Sequence, residues 1–145
     1  MSKIFETTVS INGTLIDVWE YFIALEENGS EWMGISQSLE KETDGEVHEG
    51  SRFVFYARGK KQTTTITEFE PMKKVTLTSV QGDFRADYTY HFINAAEATD
   101  VKLIAHCEAK GIMKLLSPLI KMAIKKSDQH HLEAMKTAYE KKRVT

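Results

Sequence analysis

Along residues 3–11 apolar and polar side chains alternate: Phe5, Thr7, Val9 and Ile11 share one face, and Glu6, Thr8 and Ser10 the other. A period of two predicts a strand, and Asn12-Gly13 ends it as a turn. Thr14 is placed to cap a helix, with Asp17 three residues on as a weaker form of the capping box. Leu15, Val18, Trp19, Phe22 and Ile23 then recur at helical spacing, which predicts a helix over 15–25 with a wide apolar stripe. Asn28-Gly29 stops it, and a short second helical turn is expected near Glu31 to Gly34. From about residue 35 the period returns to two, with β-branched and aromatic residues enriched. Strands are predicted near 36–43, 51–58, 61–69, 73–80, 83–94 and 100–110. The gaps are turns: Asp44-Gly45, Gly59-Lys60, Glu70-Pro71, Gln81-Gly82-Asp83, and Ala95 to Thr99. Consecutive strands with short gaps form antiparallel hairpins.

The last hairpin has a readable register. Pairing Tyr90 with Leu103 sets Phe92 against Val101, Tyr88 against Ala105 and Ala86 against Cys107, all on one apolar face. The other face then pairs Asp87 with His106 and Arg85 with Glu108, opposite charges opposed. A slip of two residues would set Asp87 against Glu108, which is worse.

Residues 112–142 read as helix again. Ser117-Pro118 has the form of an N-cap followed by a proline in the first turn. Leu116, Leu119, Ile120 and Ala123 form one stripe, with Lys114, Lys121 and Lys125 roughly opposite. Further on the stripe moves to Ile124, His131, Met135, Ala138 and Tyr139, with Leu132 beside it, a rotation of roughly a quarter turn at about 100° per residue. A helix following a curved sheet, or one bent near Ser127-Asp128, has this pattern.

A chain of 145 residues fits one domain, 1–145, large enough for its own core, and with two prolines it offers no linker at which to divide it. Hydrophobic content of 41%, charged content of 28% and a net charge of -2 describe an ordinary soluble protein. No basic cluster interleaved with aromatics points to nucleic acid. The single cysteine, Cys107, forbids an intrachain disulfide and suits a reducing compartment. Glu6 interrupts any signal-peptide core, and no window reaches transmembrane length, so a cytoplasmic protein without stable membrane insertion is expected. No feature specifies an oligomeric state.

The order strand, helix, six strands, long helix resembles the START-like (SRPBCC, helix-grip) superfamily, and several stretches are similar to its bacterial polyketide cyclase/dehydrase branch. "VSINGTLIDVWEYFIALEE" resembles the opening strand and helix, with Asp17-Val18-Trp19 at the place of a Val-Trp pair and Trp32 where a tryptophan follows. "EGSRFVFYARG" resembles the strand led by Gly50, "TTITEFEPMKKVTLTS" the block around Glu68 and Pro71, and "HLEAMKTAYEKK" the closing helix. The resemblance implies an α+β fold: a curved antiparallel sheet of about seven strands wraps a long C-terminal helix, with one or two short helices after the first strand. It also implies a cavity for a small hydrophobic molecule, lipid- or polyketide-like. Members bind sterols, lipids, hormones and polyketides; a minority catalyse cyclisation or dehydration, and one branch activates chaperones. Fold alone names none of these chemistries.

The expected ligand-facing residues are Trp32, Phe53, Phe55, Ile66, Leu77, Tyr88, Tyr90, Leu103, Ala105, Leu116, Leu119, Ile120 and Ala123, with Val75, Cys107 and Trp19 on the same side. Such stripes ordinarily fill a core, but a sheet wrapped around one helix tends to leave a void. Tyr88 and Tyr90 carry the inward polar groups. Thr64 and Glu68 share a face with Ile66, and Glu68 is more a solvated rim residue than an acid or base. His130 and His131 point about 100° apart and cannot grip one metal unaided. There is no HExxH, Cys-x-x-Cys, phosphate loop, dinucleotide fingerprint or Ser-His-Asp arrangement. Neither metal, cofactor nor catalytic set is therefore expected. The leading reading is a non-enzymatic binder. An enzyme using Tyr88, Tyr90 or Glu68, and a protein-interaction module, are the alternatives. The lysines of Lys114 to Lys126 read first as a solvated face, and second as a face for anionic lipid.

Overall fold

The computed structural model describes residues 1–35, 38–57 and 59–144. Strand β1 (Ser2–Ile11) leads into helix α1 (Leu15–Ile23), capped by the Thr14 hydroxyl, which accepts from the Asp17 N–H. The helical run predicted to residue 25 breaks at Ala24; a short α2 (Leu25–Asn28) and a 3-10 turn (Gly29–Glu31) follow. Then come β2 (Glu40–Lys41), β3 (Arg52–Ala57), β4 (Lys60–Glu70), β5 (Lys74–Gln81), β6 (Phe84–Ala95) and β7 (Ala98–Ala109). The predicted strand 36–43 is reduced to two residues, and its positions 36 and 37, like position 58, lie outside the described residues.

All seven strands form one antiparallel sheet in the order β1-β7-β6-β5-β4-β3-β2. The predicted β6–β7 register holds at every pair, from Arg85 opposite Glu108 to Phe92 opposite Val101. Asp87 lies on the outer face, bonded to Thr78 and Arg85. One face assignment fails. A bulge between Ile66 and Glu68 sets Glu68 opposite Thr76 on the outer face and turns Phe69 inward beside Val75. Thr64 keeps the face of Ile66, but Glu68 leaves it, because one extra residue inverts the alternation.

The C-terminal helical stretch is two helices, α3 (Ile112–Asp128) and α4 (His131–Val144), separated at Gln129-His130. The helix starts five residues before Ser117, after Gly111 at φ 60°, so Ser117 is not a cap and Pro118 sits inside the helix. Pro118 has no N–H for the Lys114 carbonyl, a loss best tolerated where water can replace it.

The core gathers where β1, β6 and β7 meet α1 and α4. Phe22 stacks on Trp32 at 5.4 Å and tilts onto Tyr90 at 4.7 Å, and Trp19 meets Phe92 edge-on. Leu132, Met135 and Tyr139 of α4 are buried in the same cluster. Lys142 ties α4 to the first helices through Asn28 Oδ1 at 2.6 Å and Glu31 at 3.1 Å. α3 contributes no buried residue.

Candidate functional site

The concave face of the sheet divides into two halves. Toward α4 lie large side chains: Phe69, Val75, Tyr90 and Leu103 in one row, Phe92 and Val101 in the next. Of the residues expected to meet ligand, Trp32, Ile66, Leu77, Tyr90, Leu103 and Ala105 lie here or at its border, and all belong to the buried cluster. Ala105 is wholly buried, opposite Tyr88 on β6 and Phe5 on β1. Toward α3 the face carries small residues. Ser79, Ala86 and Cys107 are cross-strand neighbours in one row, and Phe53 pairs with Thr64 further along. Phe55 and Tyr88, both half-buried, border this stretch.

α3 does not fill that half as its stripe predicts. Its partly buried side is Met113, Ser117, Ile120, Lys121 and Ile124, and its main contacts are with β1 and β7. Leu116, Leu119 and Ala123, expected to face the sheet, point to solvent; Leu119 is 68% exposed. The helix carries a second apolar side, Met113, Ile120 and Ile124, and this side turns inward, with a tether to the sheet at the end of α3.

That tether is Asp128. Its carboxylate accepts from the Tyr88 hydroxyl and lies 3.3 Å from His131 Nε2. Burial alone would raise the Asp128 carboxyl, but the bonds from His131, Tyr88 and Ser127 outweigh it and hold the group below its ordinary range. The Tyr88 hydroxyl is pushed well above its ordinary range, first by burial and then by the Asp128 charge; burial does the same to Tyr90. Both phenols therefore stay protonated donors. His131 meets Trp32 edge-on at 6.4 Å. The buried Trp32 indole N–H has no partner among the described residues. Asp128 and His131 carry the polar chemistry nearest the tyrosines, and neither was singled out as a site residue from the sequence. The signal available was the shift of stripe near Ser127-Asp128, which marks the bend.

Glu68 lies outside this group. It pairs with Lys74 at 2.8 Å and accepts from Thr76 at 2.9 Å, and the Lys74 bond above all holds its carboxyl below the ordinary range. Among the described residues no three His, Cys, Asp or Glu side chains form a metal-binding group. The two depressions described in the surface lie elsewhere: one of about 520 Å³ over Glu31, His130 and Glu133, and one of about 300 Å³ over Ser38, Glu40 and Tyr56. Neither touches a residue expected to meet ligand.

An antiparallel sheet gripping C-terminal helices, with short helices after the first strand, is the START-like helix-grip fold. Solved structures share it. A START superfamily protein from Mycobacterium smegmatis matches with a TM-score of 0.72 at 12% identity, over 94% of this chain and 97% of that one. Ara h 8.0201 matches with a TM-score of 0.70 at 14% identity, over 94% and 97%. The di-domain ARO/CYC BexL of the BE-7585A biosynthetic pathway matches with a TM-score of 0.76 at 17% identity, over 97% of this chain and 47% of that one, so this chain spans about half of it. No protein-family model matches the chain, and no curated protein sequence does.

Proposed function

We propose that this protein binds a small hydrophobic molecule between α3 and the small-residue half of the sheet. The observation that carries this reading is the mismatch between the two. Ser79, Ala86 and Cys107 are small side chains on the sheet, and the apolar side chains on the inward side of α3 are Met113, Ile120 and Ile124, all partly buried. Ala86 and Cys107 are themselves buried, so an apolar molecule there would cover the partly exposed Met113, Ile120, Ile124, Phe55 and Tyr88, worth roughly 25 cal/mol per Å² buried. Phe53, Phe55, Tyr88 and Ile120 are retained from the residues expected to bind; Ala86, Cys107 and Ile124 join them. Leu116, Leu119 and Ala123 do not. The solved structures that share this fold, a START superfamily protein and a di-domain ARO/CYC protein among them, suit such a ligand.

Native mass spectrometry of protein purified from its own cells tests the reading. A co-purifying small molecule, displaced by an apolar fluorescent probe, is the expected result; a clean apo mass together with no probe binding would reject it.

The convergence of Tyr88, Asp128 and His131 from β6, α3 and α4 supports a second reading, an acid–base enzyme acting on a polyketide-like or aromatic substrate. The Asp128–His131 pair would take or return the proton, and the Tyr88 hydroxyl, turned from Asp128, would donate its one hydrogen bond to a substrate oxygen. Turnover retained by Tyr88→Phe, once a substrate is in hand, would exclude this role.

A further inference from the structure

The outward side of α3 takes no part in the binding proposed above and is exposed among the described residues. Ile112, Leu115, Leu119 and Met122 are 71%, 81%, 68% and 70% exposed, and Leu116 is 45% exposed. At about 100° per residue they fall on one stripe, turned away from the Met113, Ile120 and Ile124 side. Five large apolar side chains in water on a single helix are unusual for a monomer surface and mark an interaction site.

Charge selects the occupant. From Lys110 to Ser127 the chain carries Lys110, Lys114, Lys121, Lys125 and Lys126 and no acidic residue, although the whole protein has a net charge of -2. At the same end of the sheet, the β3–β4 hairpin presents Lys60 and Lys61, both exposed. A second copy docking through α3 would bring two such lysine-rich stretches, each without an acidic residue, side by side, which like charge opposes. An anionic surface would be attracted, and an apolar stripe with a lysine-rich opposite side is the pattern of a helix lying in a lipid interface.

We propose that α3 is a peripheral membrane-docking helix. It seats Leu115, Leu119 and Met122 among the acyl chains of an anionic bilayer, while the lysines lie within a screening length of the headgroups. No helix among the described residues is long and apolar enough to cross a membrane, so the contact is reversible and interfacial. The proposal holds whatever the interior binds.

Sedimentation of the whole protein with vesicles tests it, comparing phosphatidylcholine alone with phosphatidylcholine containing phosphatidylglycerol. The expected result is partition onto the anionic vesicles only, weakening as salt is raised. Leu115→Ser with Leu119→Ser should abolish it with the circular-dichroism melt unchanged, because both side chains are already in water. Lys114→Gln, Lys125→Gln and Lys126→Gln should each lower the partition coefficient about fivefold. No partition onto anionic vesicles, or equal partition by the double variant, would overturn the proposal. So would a concentration-dependent dimer that the double variant abolishes, since a second copy would then cover the stripe.

Discussion

Tyr88 on β6 and Asp128 at the end of α3, forty positions apart in the chain, are joined hydroxyl to carboxylate. Asp128 is the last residue of α3, and its contact with His131 spans the break before α4. Tyr88→Phe should cost about 1–3 kcal/mol, the range for leaving a buried polar partner short of a bond. Asp128→Asn should cost a similar amount. In chemical denaturation the double variant should cost clearly less than the sum, because both changes remove the same interaction. Strict additivity would mean that the pair does not couple the helix to the sheet.

Stability should fall at both ends of the pH scale. The folded-state Asp128 carboxyl lies below its ordinary range, so its contribution is complete above the unfolded value, about pH 4. It is lost as the pH falls through the folded value, since the unfolded chain takes up the proton first. At alkaline pH the sign reverses. Tyr88 and Tyr90 keep their protons when folded, while the unfolded chain releases them from about pH 10, so stability declines above that. Denaturation midpoints across pH, measured beside Asp128→Asn, check the acid limb, which should be shallower in the variant.

Two alanines on neighbouring rows of the concave face separate core from site. Ala105 is enclosed by Tyr88 and Phe5, so Ala105→Leu should destabilise by about 1–3 kcal/mol through overpacking. Ala86 lies between Ser79 and Cys107 in the small-residue row. Ala86→Leu should melt close to the parent protein yet bind an apolar fluorescent probe more weakly. A large loss of stability by Ala86→Leu, with probe binding per folded molecule unchanged, would assign that row to the core.

Gly13 reads locally as half of an Asn-Gly turn, but its backbone is also crowded. A Cβ built there would collide with the Tyr139 ring and hydroxyl. Tyr139 is itself buried against Tyr21 at 5.4 Å. Gly13→Ala should therefore lower stability by about 1–3 kcal/mol, a strain of the overpacking kind. A neutral thermal melt would show that Tyr139 moves aside freely.

The sequence by itself determined the elements whose faces are marked by alternation. The β6–β7 register was legible down to single pairs, because apolar Tyr90–Leu103 and charged Arg85–Glu108 cannot exchange faces without loss. The Thr14 cap was legible for the same reason: its partner is three residues away. Only the tertiary structure decided what depends on distant groups. The bulge that expels Glu68 needs β5 as its template. The stripe of Leu116, Leu119 and Ala123 marks one side of α3, but hydrophobic periodicity does not say which apolar side meets the sheet. The side that turns inward goes with the bond of Tyr88 to Asp128, residues that no local pattern connects.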